Sequence, residues 1–226
     1  MCGRFTHRLS WEQIHRLYNL TLGFTNLEPS YNVAPTDTIF IVIDRNGKRE
    51  LAPARWGLVP AWWKKSLKEL PATFNARAES VATKPMFRSA YAKRRCIVPA
   101  SGFYEWTGEK GKKQPHYITP HITPRDQSVF SFAGLWEEWL NLSTGKALRS
   151  ATIIITDAQE PIKSLHDRMP VMLAPEDFEP WLTGKLEIQT LAAKPMPPVN
   201  IWPVSPRVNS VKNNEPDLIE RIEQAA

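Results

Sequence analysis

The chain has 226 residues, of which 42% are hydrophobic and 23% charged, and its formal net charge at pH 7 is +6. This composition excludes an intrinsically disordered chain and predicts one folded domain over residues 1–226 with a filled hydrophobic core. No apolar run approaches the roughly 20 residues that cross a bilayer, and residues 1–10 lack the pattern of a secretory signal. We therefore expect a cytoplasmic protein with no membrane partner. The positive charge favours a polyanionic partner without identifying it.

The chain contains two cysteines, Cys2 and Cys96. Because a chain without an export signal is expected in a reducing compartment, we interpret them as separate thiols. The five histidines do not lie at metal-ligand spacing from Cys96, so we expect no metal site and no cofactor.

Secondary-structure signals begin at Ser10, which forms a capping-box pattern with Gln13 before the apolar positions Ile14, Leu17 and Tyr18. This pattern predicts a short peripheral helix. Runs rich in β-branched and aromatic residues then predict strands at residues 38–43, 95–99, 103–106, 129–135, 151–156 and 169–173. Because most of these runs follow one another without a long helix between them, we predict an α+β fold. It is a single domain with an antiparallel, barrel-like β core and peripheral helices, which fits better than a doubly wound parallel sheet.

The first candidate for chemistry is Cys2, which lies between Met1 and the small residue Gly3. Removal of Met1 would leave a thiol beside a free α-amine. The amine, with an unperturbed pKa of about 7.7–8.0, can form an imine with an aldehyde, and the thiol, at about 8.5, can close on the imine carbon to give a five-membered thiazolidine. Taken alone, the motif favours the alternative that Cys2 is an incidental buried residue.

Residues 55–65 combine aromatic side chains with lysines, and an Asn-Val-Ala-Pro segment ending at Pro35 lies upstream. Proteins that bind single strands use this combination, because bases stack on aromatic rings while lysines follow the backbone. We expect Trp56 in the core and at least one of Trp62 and Trp63 exposed as a stacking platform or wedge.

Residues 73–79 place Asn75, Arg77 and Glu79 within five positions. At a helix start, Asn75 would be an N-cap and Glu79 a surface charge, and this interpretation is favoured for the segment alone. In a functional site, Asn75 would supply an orienting hydrogen bond and Arg77 would hold a phosphate with its planar guanidinium.

Glu105 interrupts an aromatic strand. Strand alternation places it on one face with Phe103, opposite Tyr104 and Trp106. In an enclosed site, burial would raise the pKa of this carboxyl and suit it to proton transfer. On an exposed face it would be an ordinary surface carboxylate, and both interpretations remain open.

His166 precedes Asp167 and Arg168 in a short polar segment that leads into an apolar run. Histidine suits acid–base chemistry near neutral pH, and either neighbour can tune its pKa. A plain turn is the alternative.

Six blocks of the sequence occur in one order along the chain: MCGRF, YNVAP, RWGLVPAWW, FNARAE, RCIVPASGFYEW and LHDRMPV. Together they resemble the SOS-response-associated peptidase (SRAP) family over nearly the whole chain. Because long blocks in order are far more specific than any single motif, the resemblance favours the functional interpretation of each segment. The loops at residues 64–71 and 109–113 depart from the family pattern.

The resemblance implies an enzyme of the DNA damage response that processes abasic sites in single-stranded DNA or at single-strand/duplex junctions. Cys2, exposed by loss of Met1, would be the nucleophile that forms a covalent thiazolidine cross-link with the ring-opened sugar. Weak AP lyase activity and self-directed removal of Met1 would accompany it. Asn75 would orient the reacting groups, and Glu105 and His166 would transfer protons.

The resemblance also implies the DNA contacts. The candidates for phosphate contacts and for the wedge and stacking surface are Arg4, Arg77, Arg168, Pro35, Trp62 and Trp63. We expect a monomer that is associated with the nucleoid when bound to DNA.

Two other function classes remain open. A glutamine amidotransferase with an N-terminal cysteine would explain Cys2 but not the tryptophan–lysine segment or the positive charge. A non-catalytic single-stranded DNA-binding module would bind regardless of a missing base. No Ser-His-Asp or papain-like arrangement is evident, so we expect no general protease activity.

Overall fold

The computed structural model describes residues 2–21, 26–109, 111–121, 129–141 and 144–223. Its strands are β1 (Phe5–His7), β2 (Ser30–Val33), β3 (Thr38–Arg45), β4 (Lys48–Trp56), β5 (Asn75–Arg77), β6 (Arg95–Ala100), β7 (Gly102–Thr107), β8 (Gln114–Pro120), β9 (Phe130–Leu140), β10 (Ala147–Asp157), β11 (Arg168–Pro170) and β12 (Val199–Pro203). The α-helices are α1 (Trp11–Tyr18), α2 (Arg88–Lys93), α3 (Phe178–Leu182) and α4 (Ile188–Ala192). Short 3-10 helices lie at Leu67–Glu69, Ile162–Ser164, Pro175–Asp177, Pro206–Asn209 and Pro216–Ile219. Within these ranges, every helix is too short or too polar to span a bilayer.

The larger sheet closes on itself. Its strands pair in the order β11-β10-β4-β3-β6-β9, and the additional pairing of β9 with β10 completes a ring of five strands. The pairings in the ring are antiparallel except that of β10 with β4, and β5 also joins β10 in parallel. The second sheet has the order β12-β8-β7-β1-β2 and is antiparallel throughout. The predicted α+β fold with a barrel-like β core is therefore confirmed.

The hydrophobic core has two main parts, because the barrel strands present alternate residues to opposite sides. Trp56, Phe132 and Ile153 belong to the part that also contains Phe5 and Phe103 of the second sheet. The other part lies beneath the helices and includes Tyr18 of α1, Tyr91 of α2 and Trp181 of α3. The helices thus cover one side of the barrel, and the second sheet packs against the other core.

The predicted strand runs lie in β3, β6, β7, β9 and β10, with bounds that differ by a few residues. The last run was only partly right, because β11 ends at Pro170 and Met172 makes only an isolated bridge to Phe132. The long strand β4 was missed because its charged residues and Pro53 weaken the strand signal, although it is paired with β3 from Lys48 to Arg55.

Helix α1 is built as the sequence predicts. The Ser10 side chain accepts a hydrogen bond from the Gln13 backbone N–H, and the Gln13 side chain accepts one from the Ser10 backbone N–H. Ile14 and Tyr18 are buried, so the apolar face of the helix packs on the barrel. Asn19 ends the helix in the left-handed conformation, with φ of 49°.

Ser10→Ala removes the side-chain acceptor of this cap, and we expect it to lower the free energy of unfolding by about 1 kcal/mol. Ser10→Thr keeps an acceptor and is expected to lose less. Urea unfolding followed by circular dichroism measures both. An unchanged midpoint for Ser10→Ala would show that the cap does not stabilise the helix in the folded protein.

Candidate functional site

A cavity of about 810 Å³ opens where the second sheet meets the end of the barrel at β5. Its wall is formed by Arg4, Phe74, Glu105, Trp106, Gly111, Lys112, Lys113, Gln114, His166, Pro206 and Asn209. Strands β7 and β8, and residues just before β1, β5 and β11, therefore contribute to one site. Three of the sequence-predicted residues, Arg4, Glu105 and His166, line this cavity.

Cys2 lies immediately before β1 and is fully buried. Strand β1 pairs with β7 at Phe5 and Phe103, and the Tyr104 N–H donates to the Arg4 carbonyl at 3.0 Å, so the start of the chain runs beside β7. Burial raises the pKa of the Cys2 thiol far above its ordinary value, and the negative charge of Glu105 raises it further. The thiol is therefore protonated at neutral pH and needs a base before it can react as a thiolate.

Asn75 reaches the same segment from the barrel. It is the first residue of β5 and pairs with Ile153 of β10, so the alternative of a helix cap does not hold. Its Nδ2 donates to the Cys2 carbonyl at 2.9 Å. Its Oδ1 is buried and has no hydrogen-bond partner among the described residues, so this oxygen can accept a hydrogen from an amine or hydroxyl in the site.

Glu105 is only 2% exposed and faces the interior with Phe103, so the exposed-face interpretation was wrong. Burial raises its pKa to about 7, against the opposing effect of the positive charge at the amino terminus. Near neutral pH the carboxyl is present in both protonation states. It can therefore donate a proton in one step and accept one in another.

His166 follows the 3-10 helix Ile162–Ser164, and its Nδ1 lies close to one hydrogen-bond donor and one acceptor. The Arg168 backbone N–H lies 3.0 Å away as a donor, and Asp167 Oδ1 lies 2.8 Å away as an acceptor. The neutral ring accepts from Arg168, whereas the protonated ring donates to Asp167. Burial, followed by the positive amino terminus, lowers the pKa of His166, so the neutral form, with its proton on Nε2, predominates at neutral pH.

The three predicted phosphate-binding arginines differ in availability. Arg4 lines the cavity, and its Nη1 donates to Asn32 Oδ1 at 2.6 Å and to the Val208 carbonyl at 2.7 Å. Arg77 is exposed at the end of β5. The guanidinium of Arg168 is paired with carboxylates, as described below.

The predicted wedge and stacking residues lie outside the cavity lining. Trp56 is buried in the core as expected, and its Nε1 donates to the Phe74 carbonyl at 2.9 Å. Trp62 is 51% exposed, which confirms that at least one of the consecutive tryptophans is exposed, while Trp63 is half-buried. Pro35 is half-buried in the turn after β2.

Sequence reasoning missed the contribution of the β7–β8 connection. Lys112, Lys113 and Gln114 line the cavity, and the charge of Lys113 is one of the influences that lower the pKa values of Glu105 and His166. The lysine-rich composition of this loop is the signal in the sequence, although the loop departs from the family pattern. Across the described part of the chain, no group of three or more His, Cys, Asp or Glu side chains is placed to hold a metal ion.

Comparison with known proteins identifies the family. A family model described as SOS response associated peptidase (SRAP) matches residues 1–211. The chain belongs to the SRAP family. The SRAP relatives include the abasic site processing protein YoqW of Bacillus subtilis, which is 38% identical and covers 97% of this chain and 99% of its own. The abasic site processing protein YedK of Escherichia coli is 31% identical, and the match covers 98% of this chain and 100% of its own.

Solved structures support the same relationship. A Bacteroides thetaiotaomicron protein matches this SRAP chain with a TM-score of 0.82 at 27% identity, covering 98% of this chain and all of its own. A Bordetella bronchiseptica protein matches with a TM-score of 0.74 at 25% identity, covering 90% of this chain and all of its own. The SRAP fold therefore extends over nearly the whole molecule.

The Glu105 carboxyl should titrate with an apparent pKa of about 7 in the folded protein, compared with its ordinary value of 4.5. Carbon-13 NMR of glutamate-labelled protein measures this pKa, and Glu105→Gln assigns the signal. A midpoint near 4.5 would contradict the proposed burial effect.

The same shift makes stability depend on pH. Because the folded protein holds this proton more tightly than the unfolded chain, the Glu105 contribution to stability falls as pH rises from 4.5 to about 7. The free energy of unfolding of Glu105→Gln should therefore rise by up to about 3 kcal/mol relative to that of the wild type as pH rises from 4.5 to about 7. No further rise is expected at higher pH. Urea unfolding at pH 5 and pH 8 compares the two proteins, and an equal difference at both pH values would contradict the linkage.

Proposed function

We propose that this SRAP protein processes abasic sites in single-stranded DNA by forming a covalent thiazolidine between Cys2 and the ring-opened sugar. The observation that carries the proposal is that Asn75 holds the Cys2 carbonyl at 2.9 Å beside a buried Glu105 with a pKa of about 7. The names of the relatives, which are abasic site processing proteins, support the substrate class.

The reaction begins after loss of Met1, which leaves Cys2 with a free α-amine and a thiol. The amine attacks the aldehyde carbon of the open sugar and forms a carbinolamine. Protonation of its hydroxyl lets water leave, and an imine remains. The thiol sulfur then adds to the imine carbon, its proton passes to the nitrogen through a nearby base, and the thiazolidine ring closes.

Each proton transfer has a candidate group in the cavity. Glu105 in its protonated form supplies the proton that releases water, and its carboxylate form takes the proton of the buried Cys2 thiol. The Asn75 Oδ1 acceptor orients the amine toward the aldehyde. His166, neutral at neutral pH, offers a second donor through Nε2.

The imine is also the branch point for strand cleavage. Loss of a proton from the carbon next to the imine leads to β-elimination of the adjacent phosphate, which is AP lyase chemistry. Closure of the thiazolidine removes the imine and stops this reaction, so we expect weak lyase activity beside cross-linking. Glu105 and His166 are also the candidates for self-directed removal of Met1.

The DNA would enter along a surface that carries the sequence-predicted contacts. Trp62, exposed beside Trp63, and Pro35 supply the stacking and wedge residues. Arg4 and Arg77 supply phosphate contacts, and the lysines of the β7–β8 connection add positive charge at the cavity. We propose a monomer that acts on single strands or single-strand/duplex junctions in the cytoplasm, associated with the nucleoid.

Cys2→Ala should abolish the cross-link to a single-stranded oligonucleotide with one abasic site, because the ring-closing sulfur is absent. Denaturing electrophoresis and intact mass spectrometry detect the heat-stable adduct and the loss of Met1. Cys96→Ala is the matched control, because Cys96 is a second fully buried thiol that does not line the cavity. Absence of an adduct from wild-type protein shown to lack Met1 would refute the proposal, and a glutaminase assay would then test the amidotransferase alternative.

Glu105→Gln should slow cross-linking by roughly 10²–10⁴-fold, the usual contribution of a general acid–base group. The wild-type rate should change with an inflection near pH 7, and this inflection should be absent in the variant. Single-turnover kinetics from pH 5.5 to 8.5 measure both. A Glu105→Gln protein that reacts at the wild-type rate with the same pH profile would exclude Glu105 from proton transfer.

A further inference from the structure

The guanidinium of Arg168, a residue predicted to contact phosphate, is already occupied by carboxylates. Its Nη1 lies 2.5 Å from Glu79 Oε1 and 3.1 Å from Asp157 Oδ1. The Arg168 side chain is only 19% exposed, whereas the Glu79 and Asp157 side chains are 48% and 81% exposed. The acidic partners therefore lie on the solvent side, where a DNA strand would approach.

The Glu79–Arg168 pair joins two segments of the candidate active site. Glu79 follows β5, which begins at Asn75, and the Ala78 N–H donates to the Ile155 carbonyl of β10 at 2.8 Å. Arg168 is the first residue of β11, which pairs with the same strand β10. Its backbone N–H donates to His166 Nδ1 at 3.0 Å. This ion pair therefore lies between the segment that carries Asn75 and the segment that carries His166.

The charges around the pair oppose DNA binding as they stand. Glu79, Asp157 and Asp167 supply three carboxylates, against the two guanidinium groups of Arg77 and Arg168. Both carboxylates contact the Nη1 of Arg168, so a phosphate can take this donor only by replacing a carboxylate. Because the two carboxylates are exposed to solvent, their ion pairs with Arg168 contribute little to stability and this exchange is energetically accessible.

We propose that Glu79 competes with a DNA phosphate for the Arg168 guanidinium and thereby sets the affinity of the protein for single-stranded DNA. This inference rests on the proposed binding of single-stranded DNA. In the free protein Glu79 holds Arg168, and in the complex a phosphate takes its place. The Glu79 carboxylate is then released to solvent beside the bound strand.

The experiment measures binding of an intact single-stranded oligonucleotide, which has no aldehyde and cannot cross-link, over a series of salt concentrations. Glu79→Gln should tighten binding several-fold at low salt. The slope of log affinity against log salt should stay close to the wild-type value, because Arg168 contacts a phosphate in both complexes. Arg168→Gln should weaken binding and make the slope shallower.

A double variant separates competition from simple repulsion. If Glu79 acts through Arg168, Glu79→Gln should have no effect on affinity in the Arg168→Gln background. Glu79→Asp, which keeps the charge, should remain close to the wild type. Glu50→Gln is the matched control, because Glu50 pairs with Arg45 at 3.0 Å outside the cavity lining, and it should leave binding unchanged.

Two results would overturn the inference. Equal tightening by Glu79→Gln with and without Arg168 would show repulsion of DNA by the carboxylate alone. Unchanged affinity in Glu79→Gln would show that Glu79 does not compete with a phosphate for Arg168. Neither result affects the proposed cross-linking, which is measured separately with abasic DNA, and thermal unfolding of each variant confirms that it is folded.

Discussion

Strand β10 is the element on which the rest of the structure depends, because it pairs with four other strands. Its first residues pair with β9 and β4, which closes the barrel. Its last residues pair with β5 on one edge and β11 on the other. Backbone groups in a buried strand must be hydrogen-bonded, so this 11-residue strand requires partners on both edges along its length. Satisfying that requirement brings Asn75 and His166 to the same end of the barrel.

The second sheet completes the site by bringing the start of the chain to that end. Strand β1 lies between β2 and β7, and this pairing places Cys2 beside Glu105 and beneath the Asn75 amide. The candidate reactive groups therefore come from both sheets, and the cavity lies at their junction. This arrangement explains why a residue next to the amino terminus can be fully buried and still belong to the candidate active site.

One physical cause, burial, tunes the two acid–base candidates in opposite directions. It raises the pKa of Glu105 to about 7, because a buried carboxylate loses hydration. It lowers the pKa of His166, because a buried imidazolium also loses hydration. Near neutral pH, Glu105 is therefore present in both protonation states and His166 is mainly neutral. For a reaction that must release water from a carbinolamine and take a proton from a thiol, such groups are better suited than fully ionised side chains.

The exposed part of the site follows a different principle. The Glu79–Arg168 pair, the exposed Arg77 and the lysines of the β7–β8 connection form a surface of mixed charge. Such a surface allows a polyanion to bind by exchanging ion pairs, so its affinity depends on salt and on the carboxylates as much as on the cations. The buried groups would perform the chemistry, while the exposed charges of both signs would set the affinity for the DNA strand.

Local pattern was sufficient to determine several features of this protein from its sequence. The capping box at Ser10, the strand runs in β3, β6 and β7, and the placement of Glu105 on one strand face with Phe103 all depend on residues a few positions apart, and the structure confirms them. The resemblance of six ordered blocks to the SRAP family was confirmed as well, because the order and length of the blocks are properties of the sequence.

Only the tertiary structure decided the features that depend on residues distant in the chain. Asn75 is in a strand because β10, about 80 residues later, pairs with it and overrides the local preference for a helix cap. The contribution of Lys112 and Lys113 to the cavity depends on where β7 and β8 meet the barrel. The occupation of Arg168 by Glu79 joins residues 89 positions apart. Pairings of this kind are set by which elements pack together, and no local pattern contains that information.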